Sequence, residues 1–131
     1  MKEIKLQASL TKECLVTNER LASHVGSGIV DVYATPMMIA LMENTAATLL
    51  AEFLDEGETS VGIAINATHE AATPSGMRVW ATATIVEVDR KRVVFHIEAR
   101  DEKERISTAA HERFIVNKDK FEAKANNKRN N

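Results

Sequence analysis

Hydrophobic and polar residues change rhythm several times along the chain, and each rhythm predicts an element. Ile4, Leu6, Ala8 and Leu10 alternate with Lys5, Gln7 and Ser9, the two-residue period of a half-buried strand, which continues irregularly to Val16. Residues 18–24 fit a short helix closed by Gly26-Ser27-Gly28. That glycine pair has neither dinucleotide nor P-loop spacing, so it reads as a turn.

A longer helix begins at Thr35-Pro36. Threonine can cap free backbone N–H groups, and proline suits the first helical position, where no N–H is required. Helical signals run to about Leu54, with Asp55-Glu56-Gly57 as the stop. Met37, Met38, Ile39, Leu41, Met42, Leu49, Leu50 and Phe53 cover most of its circumference, so this helix should lie buried against a broad surface.

Strand patterns fill the rest. Val61, Ile63, Ile65 and Ala67 alternate in a strand over about 59–72, broken at Ala72-Thr73-Pro74-Ser75-Gly76. A second covers about 77–88, and Asp89-Arg90-Lys91 turns it into a third at 92–100. The last lies near 104–116, and the polar tail from Asn117 should be loosely ordered at its end. One strand, one long buried helix and four consecutive strands predict an α+β domain, an antiparallel sheet wrapped around the helix. That arrangement is the hotdog fold.

Length and composition fit one such domain. The chain has 131 residues, enough for one core and too few for two comfortable ones. A formal net charge of -2 gives no general basic footprint, which argues against nucleic acid as a partner. The longest strongly apolar stretch, Pro36 to Met42, falls far below the roughly 20 residues needed to cross a bilayer. The N-terminal pattern lacks the apolar block of a secretory signal, and the lone Cys14 suits a reducing cytosol. We therefore expect a soluble, cytoplasmic protein. No set of His, Cys, Asp and Glu has metal-ligand spacing, so no metal is expected.

Three residues stand out chemically. Glu43 lies on one helix face with Ile39, Ala40, Ala46, Ala47 and Leu50, where a carboxylate is costly unless paired. Such a residue either meets a buried donor or a subunit interface, or does chemistry. His69 shares the apolar parity of its strand and should face the helix. A lone histidine there is commonly a satisfied core residue, but a second titratable group beneath the same sheet makes an acid/base pair plausible. Thr35 is explained by capping, although its hydroxyl would also sit at the positive end of the helix dipole. His96 falls on the polar face, His24 in an irregular segment, and His111 with Ala109 and Ile115, which makes it structural by default. Arg90-Lys91-Arg92 is a turn-like basic cluster, commonly just solvated, able to meet phosphates.

With these residues located, the sequence resembles the fluoroacetyl-CoA thioesterase family of hotdog proteins, over about Val25 to Phe121. The match is densest at Ala34-Thr35-Pro36-Met37-Met38-Ile39-Ala40-Leu41-Met42-Glu43 and at Thr68-His69-Glu70-Ala71-Ala72-Thr73-Pro74-Ser75-Gly76-Met77. Thr108-Ala109-Ala110-His111-Glu112-Arg113 also looks like the family's last strand. The resemblance implies a short-chain acyl-CoA thioesterase with catalytic Thr35, Glu43 and His69, and with Gly62 binding the thioester carbonyl. It also implies a homodimer with sites at the interface and no cofactor beyond the CoA of the substrate. The family's fluoroacetyl-selective members carry lid phenylalanines. Between Leu15 and Val32 this chain has no Phe, Tyr or Trp, so that selectivity is not expected to follow.

On this reading His69 is a general base that activates Thr35 or a water. Glu43 orients His69 or attacks directly, and the Gly62 N–H adds to the oxyanion site. Two rival functions remain, a hotdog enoyl-CoA hydratase and a non-catalytic acyl-CoA binding module. Thiol release separates both from a hydrolase.

Overall fold

The computed structural model describes residues 1–130. Five strands form one antiparallel sheet: β1 (Ser9–Leu15), β2 (Glu58–Ala67), β3 (Arg78–Asp89), β4 (Arg92–Asp101) and β5 (Arg105–Asn117). Their order is β1-β3-β4-β5-β2, which leaves β1 and β2 as edges. The short α1 (Ala22–Val25) precedes the 17-residue α2 (Thr35–Ala51), and α3 (Lys118–Asn126) follows β5.

The α+β hotdog arrangement expected from element order is present. Met38, Met42, Ala46, Leu49 and Leu50 of α2 are buried against the inner face of β3 and β4, where Ala83, Ile85, Phe95 and Ile97 are fully enclosed. Burying each large side chain of this kind contributes about 1.5–3 kcal/mol. The outer face keeps Thr82, Thr84, His96 and Glu98 in partial or full contact with solvent, so the strands alternate as an antiparallel sheet covered on one side should.

Several boundaries differ from the sequence pattern. The first strand starts at Ser9 rather than Ile4, because a turn with Gln7 in the left-handed region (φ 69) intervenes. Residues before it are drawn to the end of α2, where the Lys2 N–H donates to the Phe53 carbonyl at 2.7 Å. The polar tail begins as a helix: the Asn117 side chain caps α3 by accepting from the Lys120 N–H at 3.0 Å, and the Lys118 N–H donates to the Gly57 carbonyl.

The segment after β2 is fixed from two sides. Thr73, fully buried, donates its hydroxyl to Asp101 Oδ2 at 2.8 Å, while its carbonyl accepts the Tyr33 N–H at 2.8 Å. Burial opposes ionisation of Asp101, but hydrogen bonds from the Lys103 N–H, the Thr73 hydroxyl and the Glu104 N–H hold its carboxyl below the usual carboxylate range. The β4–β5 turn therefore grips the strap that carries His69 and the residues just ahead of α2. Thr73→Val strands a buried carboxylate oxygen and should cost about 1–3 kcal/mol, read as a fall of several degrees in melting temperature. Thr73→Ser should restore most of it.

Candidate active site

The first turn of α2 brings Thr35 against His69. Ala34, not Thr35, is the N-cap residue, and no side chain caps this helix. The Thr35 hydroxyl instead lies 2.6 Å from His69 Nδ1. Capping therefore does not explain this threonine.

His69 lies two residues beyond β2, not within a strand reaching 72. It is nevertheless held in ladder-like register, since the Thr68 N–H donates to Thr108 O and the Glu70 N–H to Ile106 O. The Glu70 carboxylate adds two bonds from Arg105. Burial pushes the His69 imidazole below its ordinary value of 6.5, opposed only by the Ala71 backbone, so the ring is neutral at physiological pH. Its Nε2 is buried without a hydrogen-bond partner among the described residues. A cavity of about 430 Å³ opens over Thr35 and His69, bordered by Ala22, Ser27, Val32 and Tyr33.

Glu43 belongs to a second cluster. It stands eight residues after Thr35, about 12 Å of helical rise, and no hydrogen bond joins its carboxylate to His69. Nor does it sit at the centre of a fully buried stripe, for Glu43 and Ala47 are half-buried and Ala40 is exposed. Glu43 faces β2 and β5. A Cβ placed on Gly62 would lie 2.9 Å from Glu43 Oε2, 3.3 Å from His111 Cε1 and 3.4 Å from Arg113 Nη1. Gly62 thus lets the Glu43 carboxylate lie close against β2.

A bulge in β2 produces that approach. Gly62 pairs with Arg113 and Ala64 with Glu112, leaving Ile63 as an extra residue. The expected common face of Val61, Ile63, Ile65 and Ala67 is therefore broken: Ile65 and Ala67 oppose buried His111 and Ala109, whereas Ile63 is half-exposed.

Arg113 is the residue that sequence reasoning missed, while His111 lies on the buried face with Ala109 and Ile115 as strand parity predicts. The His111 Nδ1–H donates to Ala64 O at 2.8 Å, and its Nε2 accepts from Arg113 Nη1 at 3.2 Å, which fixes the neutral tautomer. Arg113 Nε donates to Ser60 Oγ and Nη2 to Ser60 O. Desolvation lowers the pKa of both groups, and the Glu43 carboxylate opposes it in each case. The signal was available: strand parity that buries His111 and Ile115 also buries Arg113, and a buried arginine requires a carboxylate.

No group of three or more His, Cys, Asp or Glu among the described residues is arranged to hold a metal ion. No helix among them is long and apolar enough to cross a membrane.

A sheet curled around one long helix places the chain among the hotdog proteins. The profile of the fluoroacetyl-CoA-specific thioesterases matches residues 16–119, and the chain belongs to that family. The fluoroacetyl-CoA thioesterase of Streptantibioticus cattleyicolor is 39% identical over 98 residues, covering 75% of this chain and 70% of that protein. A crystallographically studied fluoroacetyl-CoA thioesterase superposes with a TM-score of 0.92 at 31% identity, covering 97% of this chain and 98% of that one. A Thermus thermophilus thioesterase superfamily member gives 0.91 at 31%, covering 99% and 96%. The chain is an acyl-CoA thioesterase.

Proposed function

We propose that the chain hydrolyses acetyl-sized acyl-CoA as a cytoplasmic homodimer, with Thr35 as nucleophile and His69 as general base. The 2.6 Å contact between Thr35 Oγ1 and His69 Nδ1 carries this reading. Thr35 Oγ1 attacks the thioester carbonyl as its proton passes to His69, the C–S bond breaks, and His69 returns the proton to the leaving sulfur. Water then hydrolyses the acyl-threonine ester. The positive end of α2 favours the charge that develops beside Thr35. CoA enters as part of the substrate, and no further cofactor takes part.

Glu43 lies two turns along α2 from Thr35, with Gly62 of β2 against its carboxylate, too far to serve the same chain's Thr35. A two-fold about the free edge of β2 brings one protomer's Thr35–His69 pair to the partner's Glu43 and Gly62, and completes each site from two half-sites. Half-exposed Ile63 on that edge supports the same reading.

The primary experiment measures thiol release from acetyl-, fluoroacetyl- and longer acyl-CoA esters. Release with the shortest acyl groups and no change in enoyl-CoA absorbance is expected; absence of release from all of them sinks the proposal. Mixing inactive His69→Ala with inactive Glu43→Gln should restore activity, because hybrid dimers contain one site with neither substitution. No restoration after verified subunit exchange excludes the shared site. Gly62→Ala should fold, since the mobile end of Glu43 can swing aside and the His111 ring need give only a few tenths of an ångström, yet lose turnover by about tenfold or more because the carboxylate is displaced.

A further inference from the structure

His69 works from a segment that is no longer a regular strand. β2 ends at Ala67, and two backbone bonds flank the histidine beyond it, Thr68 N–H to Thr108 O at 3.1 Å and Glu70 N–H to Ile106 O at 2.7 Å. The side chains of Thr68 and Glu70 lie on one side of this segment, since the Thr68 hydroxyl donates to Glu70 Oε2 at 2.7 Å. In an extended chain the residue between them points to the other side, and there His69 Nδ1 meets Thr35 Oγ1. A slide or twist of the segment along β5 therefore moves the imidazole off the hydroxyl.

Glu70 resists that movement. Four donors converge on its carboxylate: Arg105 Nη2 and Nε reach Oε1 at 2.9 and 3.1 Å, and the Thr68 and Thr108 hydroxyls reach Oε2 at 2.7 and 3.3 Å. The Thr68 hydroxyl and the Arg105 guanidinium hold the carboxyl below the usual carboxylate range, so it is ionised at neutral pH. A carboxylate offers about four acceptor positions. These are filled, which leaves Glu70 nothing to offer a substrate although it borders the same cavity as His69.

Arg105 opens β5 directly after the turn that Asp101 fixes through the Lys103 and Glu104 N–H groups. Across the β4–β5 ladder it faces Arg100, a like charge, which favours its turn toward Glu70. The Glu70 and Arg105 side chains are 31% and 52% exposed, and an ion pair so wet adds little to global stability. Yet it ends one residue from the imidazole, where a displacement of about 1 Å can cost about 10²-fold in rate.

We propose, on the reading that His69 is the general base, that Glu70 and Arg105 are positioning residues whose ion pair clamps the segment after β2 onto β5 and holds His69 at the Thr35 hydroxyl. Neither touches the thioester; both act through His69.

Glu70→Ala and Arg105→Ala should each lower kcat for acetyl-CoA about tenfold with KM within about twofold, while the melting temperature moves by no more than about two degrees. The double variant should lose no more than either single one, because the two groups form one unit. Glu70→Gln, which keeps the length and one acceptor, should retain an intermediate kcat. In a His69→Ala background, Glu70→Ala should cost nothing further. An undiminished extra loss there means that Glu70 acts on the substrate itself and overturns the proposal. A wild-type kcat in both single variants, where His69→Ala is inactive, also overturns it. The imidazole titration, followed by NMR, reads the clamp without turnover. Wild-type His69 should titrate below 6.5, and in Glu70→Ala and Arg105→Ala its value should move back toward 6.5 as the ring loosens into water. An unmoved His69 titration overturns the clamp whatever the turnover. If the titration moves but His69→Ala keeps full activity, the clamp stands and the base role falls.

Discussion

Glu43→Gln is expected to fold, dimerise and lose about 10²-fold or more of its turnover, the scale of a missing acid/base or charge-stabilising group. Glutamine keeps the size and one carbonyl acceptor while removing the charge. The surroundings of Glu43 make the two outcomes separable. Its carboxylate lies against Gly62 and near Arg113, whose guanidinium keeps three other contacts, two to Ser60 and one to His111 Nε2. Loss of the charge therefore leaves Arg113 bonded but less well compensated, a cost of about 1–2 kcal/mol. The protein should melt a few degrees lower and remain folded at assay temperature. A residue held for stability alone would show that small thermal shift with turnover intact. Full hydrolysis by the folded variant removes Glu43 from the mechanism.

His69→Ala should lower kcat by 10²-fold or more, whereas His96→Ala should stay within about twofold, because His96 is exposed on the outer face of the sheet. Thr35→Val should match His69→Ala, and Thr35→Ser should keep part of the activity. Equal losses from His69→Ala and His96→Ala would refute the assignment of faces. The acid limb of the wild-type rate profile should fall below 6.5, the ordinary imidazole value, since burial favours the neutral base. Stability should follow the same direction. His69 and His111 both bind protons more weakly folded than unfolded, so their contribution is complete above 6.5 and is lost as pH falls through their lowered values. The depressed Asp101 adds a further loss at lower pH. Urea midpoints measured from pH 8 to pH 4 should decline steadily, and a rise on acidification would contradict these environments.

The order of elements was legible because α2 and the three inner strands carry long, consistent periodicities. Met38, Met42, Leu49 and Leu50 mark the buried side of α2, and Val93, Phe95 and Ile97 that of β4, with no competing local signal. The errors cluster where one residue resets the phase. Gln7 in a left-handed turn cuts the first strand short, and Ile63 reverses the faces at the start of β2. Glu43 and His69 could be found individually, as titratable groups in apolar company. Their separation into different clusters could not, because parity describes one strand or helix and says nothing of distance between elements. The Thr35 hydroxyl was masked by a local rule: Thr-Pro at a helix start satisfies capping preferences so well that its bond to a residue 34 positions away leaves no trace in the pattern.

The extra residue at Ile63 also governs what can add to the open side of the sheet. A regular edge strand presents evenly spaced backbone donors and acceptors to any extended segment and so invites indiscriminate strand addition. β2 interrupts that spacing between Gly62 and Ala64, near its middle. A straight intruding segment can bond one half of this edge or the other, but not both in register. A strand with the same interruption in mirror sequence across a two-fold can bond along its whole length. The kink thus disfavours the addition of regular foreign strands, and shields an unpaired edge from aggregation without a charged or proline gatekeeper at its centre.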